Sequence, residues 1–382
     1  MKRPLAGLRV LTVEQYGAGP YGTLLMSELG AEVVKIEVPA TGGDTARATG
    51  PYYLGENDSL FFQTFSRGKK SLPLDLRNAD DRARFERLVG VADVVVNNLR
   101  GSQPAKLRIT YNDLKEHNPK IVCAHLSAYG RGNSREDWPG YDYLMQAEAG
   151  FTMMTGEPEN PPTRFGLSMV DFMAGTMMAF GVVSAVLNAR STGEGSDVDV
   201  SLFDAALHQL TYCATWALNT DYIPERLPRG AHPSIAPSQI VRTRDGWGIL
   251  MCQMPKMWQL FCELVGRDDL LTDPRFVDQA ARRENRAELS DIVDEIMSAR
   301  DGEEWRTLFA SRVPFSPILD VKQALENPFV AEVGMRDHVD HPATPDGLEM
   351  LACPIKIDGE RMPGQRAPLL GEEGAEEIWG IA

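Results

Sequence analysis

The chain has 382 residues, with 39 Lys and Arg against 54 Asp and Glu, for a formal net charge of −15. That length can bury a large core and suits two domains, while the acidic balance argues against a nucleic-acid partner, which needs clustered Lys and Arg. Five scattered cysteines without a CxxC pair, and six histidines without HExxH spacing, predict neither a disulfide framework nor a metal site.

The first residues lead directly into an apolar strand, Leu8–Val13, and do not read as a signal peptide. A helix over Pro20–Gly30 follows, with proline in its first turn and glycine past its end, and then a second strand, Ala31–Ile36. A charged helix over Asp80–Val91 and strands over Asp93–Val96 and Ile121–Ser127 continue the alternation, which predicts a doubly wound parallel sheet. A helix then runs from about Asp171 to Arg190, apolar on nearly every face and therefore expected to be buried. A turn over Ser191–Ser196, a strand over Asp197–Leu202 and one helix over Asp204–Asn219 come next. No uninterrupted apolar run approaches the ~18 residues of a membrane span, so a cytoplasmic protein with no membrane partner is expected.

Pro224, Pro228, Pro233 and Pro237 crowd residues 221–238 and mark a boundary. Beyond it lie a short strand pair around Gly246 and helices near Met257–Val265, Arg283–Ala299 and Glu303–Ser311. The last stretch is too irregular for an independent fold. The expected division is a large α/β domain over 1–222, a small domain over 223–325, and a segment over 326–382 returning to the large domain.

Gly17-Ala-Gly-Pro-Tyr-Gly22 satisfies GxGxxG between a strand and a helix, and Glu37 ends the next strand where a ribose-binding acid would stand. This supports an alternative reading as a nucleotide-dependent oxidoreductase. Against it, Glu14, Gln15 and Tyr16 lengthen the turn and displace the glycines from the pyrophosphate position. The three glycines equally suit a βα turn with close packing.

Asp171 is the lone acid at the start of the apolar helix. Ser168-Met-Val-Asp171 fits a capping pattern in which both side chains satisfy free backbone amides. The functional reading is a carboxylate nucleophile that attacks an activated carbonyl, kept ionised by those amides. No GxSxG elbow, phosphate loop or zinc motif supplies a rival constellation.

Taken in order, Leu5–Leu11 with Ala18–Pro20, Leu29–Glu37, Gly43–Arg47, Arg67–Leu76, Ala92–Asn98, Pro139–Asp142, the Asp171 segment, Thr192–Gly195 and Arg366–Glu372 resemble the class III coenzyme A transferases of the CaiB/BaiF type. That family includes formyl-CoA, carnitine-CoA and succinyl-CoA transferases and α-methylacyl-CoA racemase. The resemblance implies a Rossmann-like large domain, a smaller α+β domain, an interlocked homodimer, and an acyl-CoA:carboxylate CoA-transferase with Asp171 as the acylated nucleophile. CoA and acyl-CoA are its substrates, a carboxylic acid is the acceptor, and no permanently bound cofactor or metal is implied.

Residue by residue, it places Tyr16, Gly17 and Ala18 beside the reacting thioester, and Arg47, Lys69, Lys70, Asn98, Leu99 and Lys106 near the nucleotide or pantetheine, with Tyr141 and Asp142 also at the CoA site. Racemase-type members carry histidine in a Gly-His-Asp motif. Here Tyr141 occupies that position, and a phenol with a pKa near 10 is a poor base at neutral pH, which favours transferase over racemase. Ile249–Pro255 replaces a glycine-rich covering segment, and Glu373 replaces a histidine after the C-terminal Leu-Gly-Glu. His232 is a candidate substrate contact, with Arg229 and Arg242 as weaker ones.

Overall fold

The computed structural model describes residues 3–372 and 378–380. The chain forms two compact units: Met1–Ala149, Phe165–Thr220 and Phe329–Ala382 make one, and Gly150–Arg164 with Asp221–Pro328 make the other. The boundary expected at residue 222 keeps Gly150–Arg164 in the large domain. That segment joins the smaller unit because Arg226 Nη1 donates to the carbonyls of Glu157, Asn160 and Pro161, and the backbone N–H of Arg229 donates to Glu157.

In the larger unit, β1 (Arg9–Val13), α1 (Ala18–Glu28) and β2 (Glu32–Glu37) form the first βαβ turn. They are followed by α2 (Leu60–Ser66), β3 (Lys70–Pro73), α3 (Ala79–Val89), β4 (Val94–Asn97) and β5 (Val122–Ser127). After α4 (Asp142–Glu148) come α5 (Met169–Thr192), β6 (Ser196–Ser201), α6 (Leu202–Gln209) and α7 (Thr211–Asn219). The six strands pair in parallel in the order β3-β2-β1-β4-β5-β6. The apolar runs of the two central strands, β1 and β4, are what a sheet covered on both faces requires. The order reverses between β1 and β4, the place where open α/β sheets bind ligands outside the carboxyl ends of their strands. Leu11, Val34, Leu72, Phe85, Leu88 and Val95 are among the residues that fill the core on one face.

The three glycines of the GxGxxG match serve packing. A Cβ on Gly17 would lie 3.2 Å from Asp171 Oδ2, one on Gly19 2.9 Å from the Asn98 side chain, and one on Gly22 2.5 Å from the Gly175 carbonyl. α1 therefore crosses α5 backbone to backbone, near the end that carries Asp171.

Two expectations about helices are corrected. The single helix over Asp204–Asn219 is two, broken where Thr211 adopts a left-handed conformation (φ 49°) that interrupts the helical ladder. α5 is not buried all round. Val170, Ala174, Met178, Val182 and Val186 form one buried stripe, whereas Phe180 is 77% and Leu187 64% exposed. Its 24 residues also contain a window of mean hydropathy 1.8, long and apolar enough by composition to cross a membrane. The absence of any such stretch, expected from uninterrupted runs, does not hold for the helix average, because isolated glycines and hydroxyls barely lower it. The buried stripe of α5 packs against α1 and the sheet.

In the smaller unit β7 (Ser238–Arg242), β8 (Trp247–Met251) and β9 (Phe315–Pro317) make a second sheet, with β8 pairing antiparallel to both neighbours. Its core gathers Trp258, Phe261, Phe276, Val293, Trp305 and Phe309. The C-terminal stretch returning to the larger unit contains an antiparallel hairpin of β10 (Arg336–His341) and β11 (Thr344–Leu351). That stretch is fastened to the larger unit by the backbone N–H of Ala367 on Gln63, that of Gly371 on Ser71, and His341 against Asp58.

Candidate active site

Asp171 sits in the first turn of α5, 8% exposed, with Oδ2 facing Gly17, where a Cβ would lie 3.2 Å away. The capping pattern read from Ser168 is not formed, since the Ser168 side chain makes no cap bond. The cap comes from Asp142, whose Oδ2 accepts the backbone N–H of Val170 at 2.6 Å and of Asp171 at 3.2 Å. Gln146 completes the clasp. It donates to Asp142 Oδ1 and to the Leu167 carbonyl, and its own oxygen accepts from the Phe165 amide.

This arrangement changes the electrostatics expected of Asp171. The helix-start amides are spent on Asp142 and do not hold Asp171 ionised, contrary to the expectation from the capping pattern. Burial first, and the neighbouring Asp142 carboxylate second, raise Asp171 from the ordinary 3.8 to about 7. Among the described residues, no hydrogen bond to its side-chain oxygens is formed. A desolvated, unengaged carboxylate poised near neutrality suits attack on an electrophile.

Asp142→Asn keeps an oxygen to accept the amides but removes the charge. With Asp171 as the nucleophile, the acid limb of kcat/KM should move to lower pH. Because burial is the larger cause, it should stay above the ordinary carboxylate range; an unmoved limb in the pH–rate profile would show that Asp142 does not tune Asp171.

The turn before α1 faces this carboxylate. Tyr16 is left-handed (φ 69°), 44% exposed, and packs its ring on Phe61 at 4.8 Å. Gly17 and Ala18 are buried at the helix start. Asn98 braces the turn through both side-chain atoms, accepting from Gln15 N–H at 2.9 Å and donating to Gln15 C=O at 2.7 Å. Tyr141 precedes α4 and is 69% exposed.

Two of the basic residues predicted to meet CoA are core residues instead. Arg47 is 1% exposed; it forks onto Glu37 at 2.8 and 2.7 Å, donates to the Asn57 and Pro368 carbonyls, and lies 3.8 Å over the Phe62 ring. All of its donors face protein. Lys69 Nζ is enclosed by Glu14 Oε1, Thr23 Oγ1 and the Pro20 carbonyl at 2.7–3.0 Å, and burial lowers it to about 8. The same network removes Glu37 as a ribose acid, because Arg47 and Ser71 already occupy both its oxygens. Lys70 opens β3 and is half-buried, and exposed Lys106 donates to Ser102.

A cavity of about 310 Å³ opens at the carboxyl ends of β1, β2 and β3, beside the sheet's switch point, lined among others by Val38, Thr41, Leu76, Arg77, Leu99 and Leu107. Of the predicted CoA contacts only Leu99 lines it. Sequence reasoning missed Lys35 and Asp44, buried as an ion pair at 2.7 Å, and Glu14 beside them. A lysine inside the apolar strand Val33-Val34-Lys35-Ile36 was the available signal.

His232 belongs to the smaller unit, where its Nδ1 accepts from the Ser234 amide, and burial with nearby Arg286 lowers its pKa. Arg229 is engaged with Asp291 and Asp294, and the ring of Trp247 lies under Arg242. In the Ile249–Pro255 stretch, β8 ends at Met251 and Pro255 opens the next helix. Glu373 lies outside the described residues. Among those described, no group of His, Cys, Asp and Glu could hold a metal ion.

The sequence profile of CoA-transferase family III matches residues 5–374. The chain belongs to CoA-transferase family III. It is 34% identical to the acetyl-CoA:oxalate CoA-transferase of Acetobacter aceti, over 98% of this chain and 95% of that one. It is 32% identical to the succinyl-CoA:mesaconate CoA-transferase of Haloarcula hispanica, over 97% and 95%. The solved structure of Rv3272 from Mycobacterium tuberculosis superposes with a TM-score of 0.85 at 30% identity over 99% of both chains. A CAIB/BAIF family protein from Brucella suis superposes with 0.84 at 30% identity over 98% of both. As a family III CoA-transferase the protein acts on CoA thioesters.

Proposed function

We propose that the protein moves CoA between carboxylic acids through covalent intermediates on Asp171. One observation carries this reading: a buried carboxylate raised to about 7, pressed against Gly17 and engaged by no hydrogen bond among the described residues. Asp171 attacks the donor thioester carbon, the C–S bond breaks, and CoA leaves as thiolate, giving an acyl-aspartyl anhydride. The thiolate attacks the Asp171 acyl carbon, releasing the donor carboxylate and forming an aspartyl-CoA thioester. The acceptor carboxylate attacks that thioester, a second anhydride forms, and the thiolate takes the acceptor acyl group while Asp171 is restored. Charges balance at each step, and no proton, metal or electron carrier is consumed.

In this reading the nucleotide end of CoA lies in the cavity beside Leu99 and Arg77, and the thioester reaches the Tyr16–Ala18 turn. The relatives named for acetyl-CoA or succinyl-CoA with oxalate, mesaconate or glutarate point to short dicarboxylates as acceptors. Exposed Tyr141 in the place of the racemase histidine weighs against proton exchange. A homodimer is proposed as well, since Phe180, Leu187 and Leu218 are exposed apolar side chains that a second copy would cover.

The test is a matrix of acetyl-CoA and succinyl-CoA against oxalate, mesaconate and glutarate, read by chromatography of the CoA thioesters, with sedimentation of the same preparation. New acyl-CoA stoichiometric with donor loss, from a dimer, is expected. Transfer to none of these acceptors, combined with α-proton exchange on a branched acyl-CoA, would contradict the reading.

A further inference from the structure

Three consecutive residues before Gly17 are each held through their backbone by a side chain from elsewhere in the unit. Lys35 Nζ, from the middle of β2, donates to the Glu14 carbonyl at 2.8 Å. Asn98, beyond β4, brackets both backbone groups of Gln15. Asp44 Oδ1 accepts the Tyr16 N–H at 3.0 Å and the Ala46 N–H at 2.9 Å, while its Oδ2 lies 2.7 Å from Lys35 Nζ. Lys35 is fully buried and Asp44 3% exposed.

Tyr16 is the strained member. A left-handed φ of 69° is uphill for a residue with a Cβ, and such outliers persist only where surroundings over-determine them. Here the determinant is a hydrogen bond from the Tyr16 amide to Asp44 Oδ1, and Lys35 Nζ, 2.7 Å from Oδ2, holds that side chain in place. The residue after Tyr16 is Gly17, where a Cβ would lie 3.2 Å from Asp171 Oδ2. If Tyr16 relaxes to an ordinary extended conformation, Gly17 swings off the carboxylate.

We propose that Asp44, held by Lys35, is a positioning residue that keeps the Tyr16–Gly17 turn pressed against Asp171, acting through the backbone of the turn and not through contact with substrate. This rests on the reading of Asp171 as the nucleophile. Asp44 borders the 310 Å³ cavity, yet its oxygens are turned to Tyr16, Ala46 and Lys35.

The test is a double-mutant cycle on the full chain using Asp44→Asn, Tyr16→Gly and both together. With Tyr16 in place, Asp44→Asn should lower kcat by roughly 30-fold, with KM for the CoA donor changed by less than about threefold, the scale of a small misplacement of reacting groups. In the Tyr16→Gly background the left-handed turn carries no penalty, so the same substitution should cost less than about threefold. Should Asp44→Asn fail to fold once Lys35 loses its 2.7 Å carboxylate partner, Lys35→Gln with Asp44→Asn makes a neutral pair for the same cycle. Equal losses in both backgrounds, or a change confined to KM, overturns the proposal. Asp171→Asn is assayed alongside: retained transfer there overturns the nucleophile reading itself, whereas lost transfer there with equal losses in the cycle overturns the clamp alone.

Discussion

Asp171→Asn should lower kcat for CoA transfer by about 10,000-fold or more, the scale seen when a covalent nucleophile is removed, while making the folded chain more stable above neutral pH. Both effects have one origin. The carboxylate is buried beside Asp142 and raised from 3.8 to about 7. Below pH 4 it is protonated in the folded and unfolded chains alike, and its ionisation costs nothing. Between about 4 and 7 the unfolded chain has released the proton and the folded chain still holds it, so stability falls as pH rises through that window. Above 7 the loss is complete, on the order of 2–4 kcal/mol from the size of the shift. Asparagine carries no such term. The difference in Tm between variant and parent should therefore be small at pH 4, grow towards pH 7 and level off beyond it. A difference that is constant with pH would show that Asp171 ionises freely.

Arg47→Ala should destabilise the protein by about 3–5 kcal/mol, the cost of leaving a buried partner charge uncompensated. Its guanidinium is 1% exposed and forks onto Glu37, which burial would otherwise push toward neutrality and which Arg47 and Lys35 hold below its ordinary value. Arg47 also ties residues 37, 57 and 368 together, so its loss loosens the returning C-terminal stretch. Urea unfolding should show a lower midpoint with transfer kinetics near normal in the folded fraction. A normal midpoint with a raised KM for acyl-CoA would instead make Arg47 the CoA contact that the family resemblance implied.

What the sequence revealed and what it hid divide along contact range. The βαβ alternation of β1, α1 and β2 is legible because apolar periodicity, Pro20 and Gly30 are local signals. Asp171 stands out for the same reason, as one acid in an apolar run. At the site, the departures from expectation involve partners elsewhere in the chain. Ser168 looks like the cap, but the cap is Asp142, 29 residues before Asp171. Arg47 and Lys69 look like phosphate ligands because their carboxylates, Glu37 and Glu14, come from other strands' ends, and Glu14 is 55 residues from Lys69. α5 looks buried on every face because composition does not show which side the sheet covers; Phe180 and Leu187 lie on the other. The ordered family motifs identified the chemistry where single motifs misled, most clearly at the glycines whose spacing matches a dinucleotide fingerprint but whose neighbours are Asp171, Asn98 and Gly175.

The most direct test of the covalent reading is to incubate the protein with acetyl-CoA or succinyl-CoA without an acceptor, trap with hydroxylamine or borohydride, and map the modified residue by mass spectrometry. Modification at Asp171, absent in Asp171→Asn, is the predicted result. Full transfer activity with no adduct on Asp171, or an adduct on another residue that persists in Asp171→Asn, would contradict it.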